Sequence, residues 1–457
     1  MKTIDIVVLA AGKGTRMKSL LPKVLHKLAG KPMLGHVLDA ANAVGDSKKI
    51  IVTGHGAEAV RAIYSDPSIS MVEQAEQLGT GHAVHMALPE LRENSKVVIL
   101  YGDVPLITPN TISQMLNAVD DKSIGLLTIR LNNPQGYGRI IRDADGLIEA
   151  IVEQKDASPQ QLEVDEVNTG VMSLTSEQLA EWLPLIDNNN AQGEYYLTDL
   201  ISIARKAGYS INGIHPSSVA EVEGINNRQQ LAALERTYQA QLAEVLMVSG
   251  TSLADPARFD QRGTLQAGTD NFFDVNCVFE GDVTIGSGVS IGPNCHIINS
   301  TIGHGVEIKA NTVIDQSTIG DRAVLGPFAR IRPGTELGSD TKVGNFVETK
   351  KAIVGNGSKI NHLSYVGDAQ LGENVNVGAG TITCNYDGVN KYKTEIGDNS
   401  FIGSNSTLVA PLSIGNEGFV AAGSTVTVEV PADNLAVGRT KQRNIQGWKR
   451  PQKNKTD

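Results

Sequence analysis

Through the second half of the chain an aliphatic residue returns at every sixth position. Ile285, Ile291 and Ile297 keep that spacing, as do Leu325, Ile331, Leu337 and Val343, and then Ile396, Ile402, Leu408, Ile414, Val420 and Val426. Glycine often follows the aliphatic, as at Gly286, Gly292, Gly326, Gly338, Gly344, Gly397, Gly403 and Gly415. A helix would repeat its apolar positions about every 3.6 residues and a half-buried strand every second one, so neither fits. A hexapeptide repeat does fit. Each unit is a very short strand followed by a turn, three units close one coil, and successive coils stack their aliphatics inside a triangular prism. The beat shortens to five between Ile297 and Ile302, Ile314 and Ile319, and Val366 and Leu371, and it stops between Thr383 and Ile396.

The first half is patterned differently. Ile6–Ala10 is a continuous apolar run that predicts a buried strand, and Ala11-Gly12-Lys13-Gly14-Thr15-Arg16-Met17 follows it as a glycine-rich loop. Helical periodicity runs from Met33 to Val44, a second strand covers Lys49 to Thr53, and a third, Val97–Tyr101, ends at Gly102-Asp103. Strands alternating with helices predict a mostly parallel sheet covered on both faces, a Rossmann-like α/β domain. Ligands of such sheets gather at the carboxyl ends of the strands, where the glycine loop and Asp103 both fall. Between the halves, Leu231, Leu234, Tyr238, Leu242 and Leu246 recur at steps of three and four, which predicts one amphipathic helix over Asn227–Val248. The expected division is residues 1–228, a helical linker over 229–249, and a solenoid over 250–457.

Composition changes this picture little but narrows the partners. A chain of 457 residues exceeds one ordinary domain, and its 47 glycines suit a solenoid full of turns. A formal net charge of −10 without a long basic run argues against nucleic acid. The tail Lys449-Arg450-Pro451-Gln452-Lys453-Asn454-Lys455 is basic but short, and is expected to be a solvated end. No stretch is long enough to span a bilayer. Cys277, Cys295 and Cys384 form no CxxC pair, so neither structural zinc nor a disulfide framework is expected, and reduced thiols point to the cytoplasm.

The chemistry-bearing residues lie beside these elements. The glycine loop lacks both the G-x-G-x-x-G spacing and the G-K-[S/T] ending, yet its backbone N–H groups can cradle phosphate oxygens while Arg16 and Lys23 neutralise a developing pyrophosphate. Phosphoryl chemistry of this kind needs positioning and charge screening, with a hard metal held by few protein ligands. In the second half, polar and charged residues gather where the beat falters. Arg330, Arg332, Lys350 and Lys351 supply cations, and the insertion Cys384–Lys393 follows. His362 is the only histidine after His304, and its neutral imidazole can act as a general base. His82 and His85 share one face of an expected helix, without a carboxylate or cysteine spaced to complete a metal site.

The segment Leu9–Met17 with Pro22-Lys23 resembles the signature of sugar-1-phosphate nucleotidyltransferases. Gln74, Gln77-Leu78-Gly79-Thr80-Gly81, Tyr101-Gly102-Asp103, Gly136-Tyr137-Gly138-Arg139, Glu153, Asn168-Thr169-Gly170 and Glu223–Arg228 extend the likeness. The whole chain resembles the bacterial bifunctional enzymes that make UDP-N-acetylglucosamine. For the first half the resemblance implies uridylyl transfer from UTP to N-acetylglucosamine-1-phosphate. Magnesium would sit on Asp103 and Asn226, and Arg16 and Lys23 would be catalytic. Leu9, Ala10, Ala11, Gly12, Gln74, Gly79 and Thr80 would form the uridine side, with Tyr101 and Gly102 beside them. Gly138, Glu153, Asn168 and Asn226 would form the sugar side. For the second half it implies a left-handed parallel β-helix, a homotrimer with sites between neighbouring prisms, and acetyl transfer from acetyl-CoA to glucosamine-1-phosphate. There His362 would be the base, and Arg332, Lys350, Tyr365 and Asn376 would hold the sugar phosphate. Ala379, Asn385, Tyr386, Ser404, Ala422 and Arg439 would line the acetyl-CoA site. The alternative is a nucleotidyltransferase whose β-helix serves only regulation or assembly; His362 and the paired cations argue against it.

Overall fold

The computed structural model describes residues 2–451, so Gln452, Lys453, Asn454 and Lys455 of the basic tail lie outside the described residues. The chain divides into two compact units, Met1–Ala240 and Gln241–Asp457.

In the first unit the apolar run Thr3–Ala10 forms the central strand. It pairs in parallel with Lys48–Thr53 on one side and Ser95–Tyr101 on the other. The sheet extends to Ile69–Glu73 at one edge and, through Glu166–Thr175 and Ser123–Arg130, to Ser210–Ile214 at the other. Glu166–Thr175 runs antiparallel to Ser95–Tyr101, Ser123–Arg130 and Arg139–Arg142, and Arg139–Arg142 pairs antiparallel with Ile148–Val152; these are the departures from an all-parallel sheet. Successive side chains of a strand point to opposite faces, and both faces are buried here. Val7 and Leu9 join one core with Thr80–Ala87, Ser176–Trp182 and Asp199–Lys206, while Ile6 and Val8 join another with Met33–Asn42 and Pro109–Asn117. The strands Thr3–Ala10 and Ser95–Tyr101 therefore end side by side, with the N–H of Gly102 donating to the carbonyl of Leu9 at 2.9 Å.

The helix predicted over Asn227–Val248 spans Arg228–Val248. Leu234 is buried in a first-unit cluster with Leu28, Met33, Leu106 and Ile225, whereas Ala243 and Leu246 are buried in the core of the second unit. No helix among the described residues is long and apolar enough to cross a membrane.

The second unit is a prism of parallel strands in three columns. The first column stacks Ile291, Ile308, Leu325, Val343, Ile360, Val377, Ile402 and Val420. The second stacks Phe279, Ile297, Ile314, Ile331, Thr349 and Val366, and resumes with Thr383, Leu408 and Val426. The third runs from Ile285 through Ile302, Ile319, Leu337, Val354, Leu371 and Ile396 to Ile414. The five-residue steps all fall between the second and third columns. Glu348–Val354 and Tyr365–Leu371 run straight across that corner as continuous strands. The insertion occupies the same corner one coil later.

Two polar residues interrupt the second column. Thr349 and Thr383 are buried among aliphatics. The Thr383 hydroxyl accepts from the N–H of Gly367 at 2.8 Å. A buried N–H left without an acceptor costs about 1–3 kcal/mol, which accounts for a threonine at this core position.

Candidate functional sites

In the first unit a cleft opens above the carboxyl ends of the central strands. Leu9, Ala10, Ala11, Gly12, Lys23, Gln74, Gly79, Thr80, Tyr101 and Asp103 all line it. The Lys23 ammonium contacts Asp103 Oδ2 and lies 3.1 Å from Asn226 Oδ1. Asn226 is held by its own backbone N–H donating to Gln230 at 2.8 Å, and Ile225 N–H donates to the carbonyl of Asp103 at 3.0 Å. A carboxylate oxygen and an amide oxygen thus converge on one cation, an all-oxygen donor pair of the kind that magnesium takes together with phosphates and water. Gln74 donates to the carbonyl of Gly79 at 3.0 Å and meets His82 Nδ1 at 3.0 Å, which fixes the amide at the edge of the cleft.

Gly138, just before the strand Arg139–Arg142, Glu153, just after Ile148–Val152, and Asn168, within Glu166–Thr175, stand together. Asn168 N–H donates to the carbonyl of Gly138 at 2.9 Å, and a Cβ on Gly138 would reach Glu153 Oε1 at 3.3 Å. Burial pushes the Glu153 carboxyl above the usual glutamate range, with Asp156 and Asp199 adding to the shift and a hydrogen bond from Thr198 opposing it. Burial likewise raises the Tyr101 phenol, and Asp103 and Glu153 both contribute. Arg16 is exposed on the short helix Thr15–Met17 and is not among the residues lining the cleft. His82 lines the adjoining pocket with His85, and no group of three histidine, cysteine or acidic residues among the described residues could hold a metal.

The second unit divides its candidates between two places. Asn345 and His362 pair across adjacent coils at the edge between the first and second columns. Ala379, Ser404 and Ala422 follow at the same edge in later coils: Asn405 N–H donates to the carbonyl of Ala379 at 2.7 Å, and Gly423 N–H to that of Ser404 at 2.8 Å. Arg439 Nη1 caps the series on the carbonyl of Ala422 at 2.8 Å. Asn376 lies on the outer side of the first column, one residue before the core position Val377.

Arg332 and Lys350 stack on the second column, each one residue beyond a core position, and Tyr365 lies one residue before one. Arg332 Nη1 donates to Glu348 Oε1 at 2.6 Å. Lys391 from the insertion, chiefly through its contact with Lys350, pushes the Lys350 ammonium below the ordinary lysine value, and Arg332 adds to the effect. Lys350 and Lys391 make a place for an anion beside Arg332, which Glu348 already pairs, and Lys391 is the member that periodicity did not single out. Asn385 contacts Asp368, and Tyr386 stands exposed in the insertion.

Known proteins align with both units. The family described as MobA-like NTP transferase domain matches residues 6–150, the GMPPB C-terminal domain matches 269–348, and the hexapeptide repeat of succinyl-transferase matches 393–428. Bifunctional protein GlmU of Marinobacter nauticus is 57% identical over 99% of this chain and 100% of its own. The chain belongs to the GlmU family. The GlmU protein of Cellvibrio japonicus is also 57% identical, over 98% of this chain and 99% of its own. Among solved structures, a nucleotidyl transferase from Methanothermobacter thermautotroptrophicus aligns over 52% of this chain and 99% of its own, at 19% identity and a TM-score of 0.39. Membership accounts for a nucleotidyltransferase unit and a hexapeptide-repeat, left-handed β-helix unit in one bifunctional chain.

Proposed function

We infer that this GlmU-family chain makes UDP-N-acetylglucosamine, a precursor of bacterial envelope polymers, in two steps at two sites. The second unit transfers an acetyl group from acetyl-CoA to glucosamine-1-phosphate. The first unit then joins N-acetylglucosamine-1-phosphate to UTP and releases pyrophosphate. The observation that carries this reading is a cation in each unit set where a phosphate can lie, Lys23 between Asp103 and Asn226 at the cleft of the first, and Lys350 with Arg332, one residue beyond core positions of the second column, in the second.

For uridylyl transfer the sugar phosphate oxygen attacks the α-phosphorus of UTP in line, and the bond to the pyrophosphate oxygen breaks. The nucleophile is already anionic, so the chain needs no base and contributes position and charge. Asp103 and Asn226 would hold magnesium, which supplies charge screening of the phosphate oxygens. Lys23 and the exposed Arg16 meet the departing pyrophosphate. Gln74 and the strand end at Leu9–Gly12, with Gly79 and Thr80, recognise uracil. Gly138, Glu153, Asn168 and Asn226 receive the sugar.

For acetyl transfer, His362 Nε2 takes a proton from the glucosamine nitrogen as the new C–N bond forms and the thioester C–S bond breaks, and the thiolate leaves to be protonated. Arg332, Lys350 and Lys391 hold the sugar phosphate, and Tyr365 and Asn376 hold the ring. Acetyl-CoA lies along the edge made by Ala379, Ser404, Ala422 and Arg439, with Asn385 and Tyr386 of a neighbouring insertion.

A homotrimer fits the separation of His362 from the insertion on one prism. Phe328, Phe346 and Leu363 support it further. They occupy the left-handed backbone region that Asn294 and Asn311 hold in earlier coils, at about 1–2 kcal/mol per residue, and still leave their side chains 49%, 56% and 63% exposed. The two phenyl rings stack at 5.3 Å, forming an apolar ridge beside His362 for a second copy to cover. A cytoplasmic setting agrees with Cys277 and Cys295, buried and in no disulfide, whose thiols burial pushes up to about 12 and about 11. The test is direct. Acetyl-CoA and glucosamine-1-phosphate alone should release CoA, and pyrophosphate should appear only after UTP and magnesium are added. Failure of CoA release would leave only the nucleotidyltransferase reading.

A further inference from the structure

Asn345 makes a contact that the six-residue repeat does not require. In the first column most strands are two residues long, such as Glu307–Ile308, Val324–Leu325 and Asn376–Val377. Lys342–Asn345 and Lys359–His362 run two residues further, out to the edge. The extension sets Asn345 opposite His362, and Asn345 Oδ1 lies 2.8 Å from His362 Nδ1. Gly344 permits this approach, because a Cβ there would collide with the carbonyl of Asn361.

An amide oxygen can only accept, so the contact needs the proton on Nδ1. A neutral imidazole carries one N–H, which leaves the lone pair on Nε2. We propose that Asn345 is a positioning residue for acetyl transfer, holding the His362 ring in the tautomer and orientation in which Nε2 accepts the proton of the attacking amine. The proposal rests on His362 being the base. The choice of a neutral amide matters in this setting. Asn345, Asn361 and His362 share a groove of about 300 Å³ with Lys309 and Lys342, and no carboxylate is among its lining residues. Lys359 lies on the histidine's own strand. An aspartate at 345 would favour the imidazolium, which cannot act as a base, whereas asparagine orients the ring without charging it.

The test compares Asn345→Ala and Asn345→Asp in the full-length chain, following CoA release against pH, with pyrophosphate release as the control for an intact fold. Asn345→Ala should lower kcat for acetyl transfer roughly tenfold to hundredfold, within the ~10²–10⁴ that a placed base contributes, and leave KM for glucosamine-1-phosphate within about twofold. Asn345→Asp keeps the acceptor, so it should recover most of kcat at alkaline pH while the acidic limb of its profile moves up by roughly one unit. A purely structural role would not move that limb. The proposal is overturned if Asn345→Ala keeps its kcat, if its loss lies entirely in KM, or if the Asn345→Asp limb stays in place. A His362→Ala variant that still releases CoA would instead remove the underlying assignment of the base.

Discussion

Replacing Lys23 with methionine keeps most of the side-chain volume and removes the ammonium that bridges Asp103 and Asn226. The side chains of Lys23 and Asp103 are only 14% and 16% exposed, so the pair is largely withdrawn from water. A hydrogen bond to a charged group in such a place contributes about 1.5–3 kcal/mol. A divalent cation that takes Asp103 and Asn226 as ligands must first displace the ammonium, and its affinity for the free protein is reduced accordingly. At about 1.4 kcal/mol per decade, Lys23→Met should tighten metal binding roughly tenfold to hundredfold. Manganese serves as the probe, its free-ion electron paramagnetic resonance signal being titrated with protein in the absence of nucleotide. The same variant should slow uridylyl transfer by about 10²–10³, because the pyrophosphate loses a cation. Tighter metal binding together with slower transfer is the signature. Unchanged or weaker manganese binding would refute the idea that Lys23 occupies the metal's place in the free protein.

Thr383→Val should strip the Gly367 N–H of its buried acceptor and destabilise the second unit by about 1–3 kcal/mol, read as a lower temperature of its unfolding transition; an unshifted transition would mean that another acceptor takes over. Lys391→Ala should raise KM for glucosamine-1-phosphate about tenfold while KM for acetyl-CoA changes less than about twofold, since it removes one member of the cation cluster. Equal changes in both constants would mean that the insertion is only a wall of the site.

The beat was legible because aliphatic side chains must fill the prism at a fixed interval. The five-residue steps were visible too, but not that they all fall at one corner of the prism, between the second and third columns. His362 and the edge residues Ala379, Ser404 and Ala422 could have been aligned once the coil length was known, since paired positions are 17, 25 or 18 residues apart. Asn345 falls on the same edge one coil before His362, so the coil length reaches it too, but not its contact with the ring; Lys391 lies in a loop, where no period could point to it. In the first unit the central strands and Met33–Asn42 announced themselves as long apolar patterns. The antiparallel Glu166–Thr175 did not, because strand direction depends on pairing rather than on its own residues. Nor did the convergence of Lys23, Asp103 and Asn226, which are 80 and 203 residues apart along the chain.

The central claim, two independent reactions in one chain, is tested most directly by crossing two variants with two assays. Pyrophosphate and free CoA are followed in Arg16→Ala and in His362→Ala, each given all substrates of the reaction under study. Arg16→Ala should lose pyrophosphate release and keep CoA release, and His362→Ala should do the reverse. A variant that loses both while remaining folded, or a His362→Ala variant that still releases CoA at the parent rate, would contradict the account.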